Sequence, residues 1–536
     1  MLTATAWFFA CAPVPATDTS TAADTQLPEA ELRVPLDAPR LLRRISLDLR
    51  GVLPSVEDLD AVAADPDRLT ELTERYVDDP LVEERLVRML GRRWWTRIDD
   101  YEATYFDYDL DPEQHYAFLR AVGEEPLRIL ARVATEDRPW TDVVTVDWSM
   151  ANELLGQIWD VDYPAGGTGW QEVRYGDHRP AAGVLATNGL WWRYITNQPN
   201  MNRGRAAAIS DVLLCEDILA RPVSLSGSRA LNSDELIRED PYCVGCHAHI
   251  EPLAATLFGF YWLKDINAME MDSYHPERER LGEELLEVEP AWFGTPLRGF
   301  VDLGWAVAAD PRFTACAVQQ FSELFWRRDG GVADFDELAA LQDVFHDAEL
   351  RVKPLLAAIV QTPAYTVGWD PSETEVEHRM MGSDLLQSVH AELSGFSWDR
   401  EGYVQLDNDL LGYRLMAGGV DGEQVFQSSK DPGLTWALVV QRTAEGAARA
   451  VVEGELVAGD TRRVFDSVTL VDGTGSEAVA AELRSLSWRL FAQEADEDFV
   501  TAAGDLFASV DELLGPEEAW VAVLSVYFRD PLFVGY

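Results

Sequence analysis

Basic residues are scarce in this chain. Its 44 lysines and arginines stand against 93 aspartates and glutamates, which gives a formal net charge of −49 at pH 7. A nucleic-acid-binding protein needs a basic face that displaces the counterions of the phosphate backbone, and no stretch of the sequence supplies one. The composition therefore excludes nucleic acid as a partner. A strong negative field of this kind keeps protein molecules apart in solution.

Long uncharged apolar runs are also lacking. After the N-terminus, charged residues interrupt every long apolar stretch, so no later segment is predicted to form a membrane helix. The only uninterrupted run near the start, residues 2–10, is too short to cross a bilayer. With 47% hydrophobic residues, the chain nevertheless predicts folded, multidomain structure.

The short apolar run ends at Cys11, in the order Phe-Phe-Ala-Cys over residues 8–11. A small residue directly before a cysteine that closes an apolar segment resembles the lipobox of bacterial lipoproteins. In that family the cysteine is acylated and becomes the mature N-terminus. The sequence thus predicts a lipoprotein-type signal at 1–11, lipidation of Cys11 and a tether at 12–38 rich in Thr, Ala, Asp and Pro. The expected location is extracytoplasmic, with a lipid anchor to the membrane at the periplasm or cell surface.

Only five cysteines are present. Apart from Cys11, two of them form a CxxC pair at Cys243 and Cys246. The other two, Cys215 and Cys316, fit two alternatives that spacing alone leaves open. They are either buried free thiols or a disulfide formed in an oxidising compartment.

The dominant local pattern is helical. Apolar residues recur at three- and four-residue spacing over 58–77, 83–96 and 354–360, which predicts a mostly α-helical, multidomain fold. Apolar and polar residues alternate most clearly over 461–471, so a small β element is expected in the C-terminal third. A weak repeat recurs three times: an arginine-bearing apolar helix, an acidic turn, a second helix and an X-Pro step at Pro80, Pro363 and Pro531. Each copy predicts a helical hairpin stopped by proline.

The strongest chemical signal is Cys-Val-Gly-Cys-His at residues 243–247. Two cysteines separated by two residues and followed by histidine match the attachment site of haem c, in which Cys243 and Cys246 bind covalently and His247 is the proximal iron ligand. A zinc site built from these residues and His249 is less consistent, because all four lie within seven residues and no second pair follows. Reactive CxxC chemistry needs a thioredoxin-like context, which a helical region lacks. No nucleophile-plus-base pattern and no phosphate-binding glycine loop is present.

Three regions around this motif share a recognisable pattern. The first is residues 43–59, which contain Arg-Arg-Ile-Ser-Leu-Asp-Leu-Arg-Gly; the second combines 182–187, 202–205 (Asn-Arg-Gly-Arg) and 243–252; the third is 300–326, with Ala-Asp-Pro-Arg-Phe at 309–313. Together they resemble the planctomycete-type cytochrome c family, large exported bacterial proteins in which helical domains of unknown function accompany CxxCH motifs. Glu251 and Ala254 stand where that family has aspartate and glycine.

The resemblance implies a domain order. It places an opening helical domain at 39–150, a cytochrome c-like haem domain at 178–290 and a following helical domain at 291–368. The third repeat copy predicts a C-terminal domain at 370–536, which the resemblance does not cover. The resemblance implies a haem c protein and no known reaction. The predicted function is electron transfer through one haem c, with an unidentified redox protein as partner. Two alternatives stay open: a non-redox surface or scaffold lipoprotein whose CxxC is a disulfide, and a haem peroxidase.

The remaining candidate site residues follow from what a haem needs around it. Met271 and Met269 are the candidates for the sixth iron ligand, which separates electron transfer from small-molecule chemistry. Trp191 and Trp192 are the candidate aromatic residues against the haem, because a low-dielectric shell tunes its potential. Arg203 and Arg205 are candidate partners for the haem propionates.

Overall fold

The computed structural model describes residues 34–101, 108, 110–221, 241–261, 268–368, 379–400, 403–408, 411–422, 424–429 and 432–536. The side chains of 112–113, 241–242 and 268–269 are not among the described parts. The fold is mostly helical, with 61% helix and 4% strand, which confirms the predicted mostly-α class. Cys11 and its apolar run lie outside the described residues.

The helices fall into three successive groups. The first group is Ala38–Leu49, Val56–Ala64, Arg68–Val77, Leu81–Trp94, Pro112–Thr135, Glu153–Ile158, Asn188–Arg193 and Arg203–Leu214. The second is Pro241–Thr256, Ala268–Met271, Leu281–Leu286, Phe300–Ala308, Pro311–Trp326, Phe335–Asp347, Val352–Ile359 and Pro363–Thr366. The third is Ser383–Ser394, Tyr413–Met416, Leu434–Val451 with a π-helical continuation Val452–Ala458, Glu477–Phe491, Glu497–Leu514, Pro516–Tyr527 and Pro531–Val534.

The strands form four two-stranded antiparallel pairs. They are Val34–Pro35 with Val367–Gly368, Ser149–Ala151 with Gln171–Val173, Ala291–Trp292 with Thr295–Pro296, and Asp399–Arg400 with Tyr403–Val404. The first pair joins the start of the described chain to residue 368 and so closes its first two thirds into one unit.

Two sequence predictions need correction. The helix expected over 58–77 is divided into Val56–Ala64 and Arg68–Val77, because Asp65 is extended ahead of Pro66 and the residue before proline avoids helical geometry. The small β element expected in the C-terminal third is present as Asp399–Arg400 paired with Tyr403–Val404, but its predicted position over 461–471 is wrong, since no strand is present there. The backbone N–H groups of 461–471 donate instead to two buried carboxylates: Val464 N lies 3.0 Å from Glu455 Oε1, and Asp466 N lies 2.8 Å from Glu482 Oε1.

The three repeat copies share a common order of helices. Between the arginine-bearing helix and the proline lie two helices in every copy, one more than predicted. The proline then begins a new helix rather than only ending a hairpin. Pro363 and Pro531 each open a four-residue helix, and Pro80 caps Leu81–Trp94. Proline suits a helix start because its missing N–H has no partner there in any case.

Apolar side chains gather into three cores. The first draws on residues from 41 to 365 together with Ala492, and so includes parts of the 39–150, 178–290 and 291–368 segments. The second belongs mainly to 381–534, but Leu47 and Leu53 from the first repeat copy enter it. The third is smaller and contains Phe118, Trp192 and Met271. The cores place the CxxCH segment against the first of them, where Cys246 packs at its edge.

Covalent and membrane features complete the fold. Cys215 and Cys316 form a disulfide with Cα atoms 5.2 Å apart, which resolves the alternative that spacing left open. The bond ties the end of Arg203–Leu214 to Pro311–Trp326. Among the described residues, no helix has both the length and the apolar content that a membrane crossing requires.

Candidate functional site

The CxxCH motif opens a helix, Pro241–Thr256, which we call the CxxCH helix. Cys243, Cys246 and His247 are spaced by three and four residues, so they share one helical face. All three side chains are partly exposed, whereas Ile250 and Leu253 bury the second half of the helix in the first core. The helix is therefore anchored at its end and presents its reactive side chains at its beginning.

Both motif cysteines are free thiols. A disulfide between Cys243 and Cys246, which the scaffold alternative required, is not formed. Gly245 lies between them, and a Cβ placed there would meet no atom within 4 Å. The first turns of the helix thus carry two free thiols, and the backbone at Gly245 faces open space on another side of the helix.

His247 is held by a carboxylate one turn further along the helix. Its Nδ1 lies 2.7 Å from Glu251 Oε1, and the two side chains are 26% and 9% exposed. Burial alone would raise the pKa of Glu251, but hydrogen bonds from His247 and Arg203 lower it below its ordinary value. An ionised carboxylate only accepts hydrogen bonds, so Nδ1 is the donor in this pair and Nε2 is the ring nitrogen left to act as a ligand. Within the described residues, no group hydrogen-bonds to that Nε2.

Arg203 completes this chain of charges. Its Nε lies 2.5 Å from the same Glu251 oxygen, and its Nη1 donates to the Pro199 carbonyl at 3.0 Å. Arg203 begins its helix directly after Asn202, which has a left-handed backbone with φ of 65°. Asn202 N donates to Thr196 Oγ1 at 2.8 Å, and this bond fixes the turn that brings Arg203 to the CxxCH helix.

Arg205 takes a different place from Arg203. It is fully buried, its Nε donates to the Tyr194 carbonyl and its Nη1 to the Phe260 carbonyl, both at 2.8 Å. Burial lowers the pKa of Arg205 to about 9, with a smaller opposing effect of Tyr261. These bonds give Arg205 a part in holding two chain segments together inside the fold.

The candidate aromatic residues are also interior. Trp191 and Trp192 are each 1% exposed and lie in the first and third cores respectively. Trp191 Nε1 donates to the Leu185 carbonyl at 2.8 Å. Their contact with a haem stays a prediction, while their packing role is evident.

The candidate sixth ligands are not brought to His247 by any contact that the structure describes. Met271 is 3% exposed and packs in the third core, whereas Cys246 borders the first. The Met269 side chain lies outside the described residues. In the described part of the chain, no three His, Cys, Asp or Glu side chains are arranged around a possible metal ion, so the zinc alternative gains nothing.

The donor set fits haem c. Two free thiols on one helical face and an imidazole with an unoccupied Nε2 are the three groups that such a haem needs from the protein. Sequence reasoning missed the Glu251 and Arg203 chain, although the spacing of four residues between His247 and Glu251 was a usable signal.

Comparison with known proteins adds no independent identification. No family model, no curated protein and no solved structure matches the chain. The family resemblance therefore depends on the sequence motifs alone.

Proposed function

We propose that this chain is an exported, c-type cytochrome-like protein that carries one haem c and takes part in electron transfer. Cys243 and Cys246 would hold the haem through thioether bonds, and His247 would ligate the iron through Nε2. The observation that carries the proposal is the His247–Glu251 bond beside two free thiols, because it leaves Nε2 as the one nitrogen free to ligate. When bound, the haem supplies a one-electron iron couple.

The protein's own residues do two things in this proposal. Glu251 holds the imidazole in one tautomer and orientation, as carboxylates commonly do for ligating histidines. Arg203 in turn holds Glu251 and balances its charge. The net charge of −49 suits docking to a basic redox protein, and the Cys215–Cys316 disulfide suits an oxidising compartment outside the cytoplasm. Lipidation at Cys11 completes the proposed membrane-anchored location.

One observation favours haem peroxidase as the second candidate. A carboxylate that accepts a hydrogen bond from Nδ1–H makes the imidazole a more basic ligand, which stabilises oxidised iron. Carbon monoxide and hydrogen peroxide separate the two candidates, because both need an open sixth position. Rapid binding of either would favour the peroxidase, and a spectrum that neither changes would favour electron transfer.

The test is an alkaline pyridine spectrum after expression with a haem c maturation system. Wild-type protein should give the spectrum of covalent haem c that persists after acid–acetone extraction. The double variant Cys243→Ser/Cys246→Ser should retain no haem after extraction. The visible spectrum of the untreated protein, recorded without pyridine, reports the axial ligands of the iron. His247→Ala should change that spectrum, and its matched control His249→Ala, two residues away on the same helix, should not. Wild-type protein that carries no haem, produced in a cell whose maturation system attaches haem to a control cytochrome c, would refute the proposal.

A further inference from the structure

A second site lies away from the CxxCH helix, where the helix Leu81–Trp94 meets the segments that begin the second core. We call it the arginine cleft. Its charged lining consists of Arg88, Arg92, Arg97, Arg327, Arg414, Asp384 and Asp407. In a chain with a net charge of −49, five arginines against two aspartates around one cavity is a local reversal of sign.

The carboxylates beside this lining pair with its arginines. Arg88 pairs with Glu84, Arg92 with Asp384, Arg97 with Glu124 and Asp407, Arg327 with Asp48, and Arg414 with Asp99. The same carboxylates also pair with four arginines behind the lining, Arg85, Arg120, Arg128 and Arg379. Among the described residues, nine arginines thus share six carboxylates, which leaves three more positive than negative charges.

The arginines repel one another. Burial lowers the pKa of Arg92 below its ordinary value, and Arg327 and Arg85 lower it further, while Asp384 opposes them. Burial would raise the pKa of Asp384, yet the same three arginines hold it well below its ordinary value. Asp384 pairs directly with Arg85 and Arg92, whereas Arg327 pairs with Asp48 and acts on Asp384 only through its charge.

Several N–H donors remain without a partner. Arg88 Nη1 and Arg327 Nε are buried and make no hydrogen bond within the described residues, although a buried polar group left unpaired is costly. Arg88 Nη1 lies 4.0 Å from Asp407 Oδ1, beyond hydrogen-bond distance. Ser428 lines the same cavity and is only partly buried. Two buried N–H donors on lining residues of the cleft therefore lack an acceptor.

The size of the cavity limits the occupant. Its volume is about 60 Å³, which is room for a few water molecules at roughly 10–15 Å³ each or for one small oxyanion. A glycine closes one wall: a Cβ at Gly419 would come within 2.8 Å of Arg414 Cγ and of Ser383 Oγ. Planar guanidinium groups match the oxygens of phosphate and sulfate in pairs.

We infer that the arginine cleft binds a divalent tetrahedral oxyanion, phosphate or sulfate, either free or as the terminal group of a small ester. Three excess positive charges, unpaired N–H donors and a cavity of this size together fit such a group. A monovalent carboxylate would leave more of the excess charge unbalanced. This site is independent of haem attachment.

The test is calorimetric titration of the full chain with inorganic phosphate, sulfate and acetate, each against chloride at equal ionic strength. Phosphate and sulfate should bind and raise the midpoint of thermal unfolding, and acetate should bind at least about tenfold more weakly. Phenyl phosphate separates the two sources of the anion. Tighter binding than inorganic phosphate indicates an ester ligand, and weaker binding indicates the free anion.

Two variants locate the binding. Arg92→Gln removes one guanidinium but leaves Asp384 paired with Arg85, and it should weaken phosphate binding by at least about tenfold. Ser428→Asp adds a carboxylate to the cavity and should have a similar effect without removing any arginine. The control Arg312→Gln removes a charge that pairs with Asp310 elsewhere and should change affinity less than about twofold.

Circular dichroism checks that each variant is folded. If Arg92→Gln does not fold, the phosphate affinity of Ser428→Asp decides whether the cleft is the binding site. Equal effects of phosphate and chloride on the wild type would overturn the inference. Wild-type phosphate affinity in every folded cleft variant would overturn it too, because the anion would then bind elsewhere.

Discussion

The CxxCH helix and the arginine cleft both use carboxylates to hold arginines, but different groups remain unpaired at the two places. On the CxxCH helix, Glu251 takes Arg203 and His247 together, and what remains is two thiols and one imidazole nitrogen. In the cleft, guanidinium N–H donors remain. Thiols can form thioether bonds with a haem whose iron an imidazole nitrogen ligates, whereas N–H donors bind anions. The unpaired groups thus indicate different ligand classes within one chain.

The largest expected effect comes from breaking the balance in the cleft. Asp384→Asn should lower the free energy of unfolding by about 3–5 kcal/mol, because it leaves Arg85 and Arg92 buried without a counter-charge. Urea denaturation in chloride measures the loss, and phosphate should restore part of it. The control Asp147→Asn removes a carboxylate from an exposed pair with Arg174 and should cost less than about 1 kcal/mol. An equal loss of unfolding free energy in Asp384→Asn and Asp147→Asn would contradict the claim that the buried aspartate matters more than the exposed one.

The disulfide should matter next, and for both regions equally. Cys215→Ala/Cys316→Ala opens a link between residues 101 apart and should cost about 2–4 kcal/mol. Reduced wild-type protein should unfold at the same urea concentration as the variant. Haem attachment and phosphate affinity should both persist at a temperature where the variant is folded, since neither site uses these sulfurs. Selective loss of one of them would show that the disulfide belongs to that site.

Acid should weaken the cleft in a defined range of pH. The pKa of Asp384 is held well below its ordinary value, chiefly by Arg92 and Arg85 against the effect of burial, so its contribution is complete above the unfolded pKa of about 3.9 and is lost as pH falls below it. Below pH 4 the free energy of unfolding should fall by up to about 1.4 kcal/mol per pH unit for this group. Asp384→Asn should have a correspondingly shallower slope, and parallel slopes would contradict the assignment.

The smallest effect on stability is expected at the CxxCH helix. Glu251→Gln keeps an acceptor for His247 and should cost about 1 kcal/mol. Its consequence for His247 should be clearer: ¹⁵N chemical shifts should report a proton fixed on Nδ1 in the wild type and a weaker tautomer preference in the variant. With haem attached, the reduction potential should rise, because the imidazole becomes a less basic ligand. An unchanged tautomer preference and an unchanged reduction potential would show that Glu251 does not control His247.

Sequence reasoning succeeded where the information is local. The periodicity of apolar residues predicted a mostly helical fold, which the structure confirms. It failed over 461–471, because side-chain carboxylates from Glu455 and Glu482 satisfy a backbone that alternation alone assigns to a strand.

Distant contacts lay beyond that reasoning. The arginine cleft draws residues from five or more separate segments, so no window of the sequence contains it. The Cys215–Cys316 pair stayed open for the same reason, since a separation of 101 residues implies no geometry. Only the turn at Asn202, with its left-handed backbone, shows how Arg203 reaches Glu251, and spacing did not predict it.

The most direct test of the central claim is the intact mass of protein matured in a periplasm with the haem c maturation system. The account predicts that the wild type gains the mass of one haem and that Cys243→Ser/Cys246→Ser, expressed and folded alike, gains none. Wild-type protein with two unmodified thiols at Cys243 and Cys246, in a cell that matures a control cytochrome c, would contradict it.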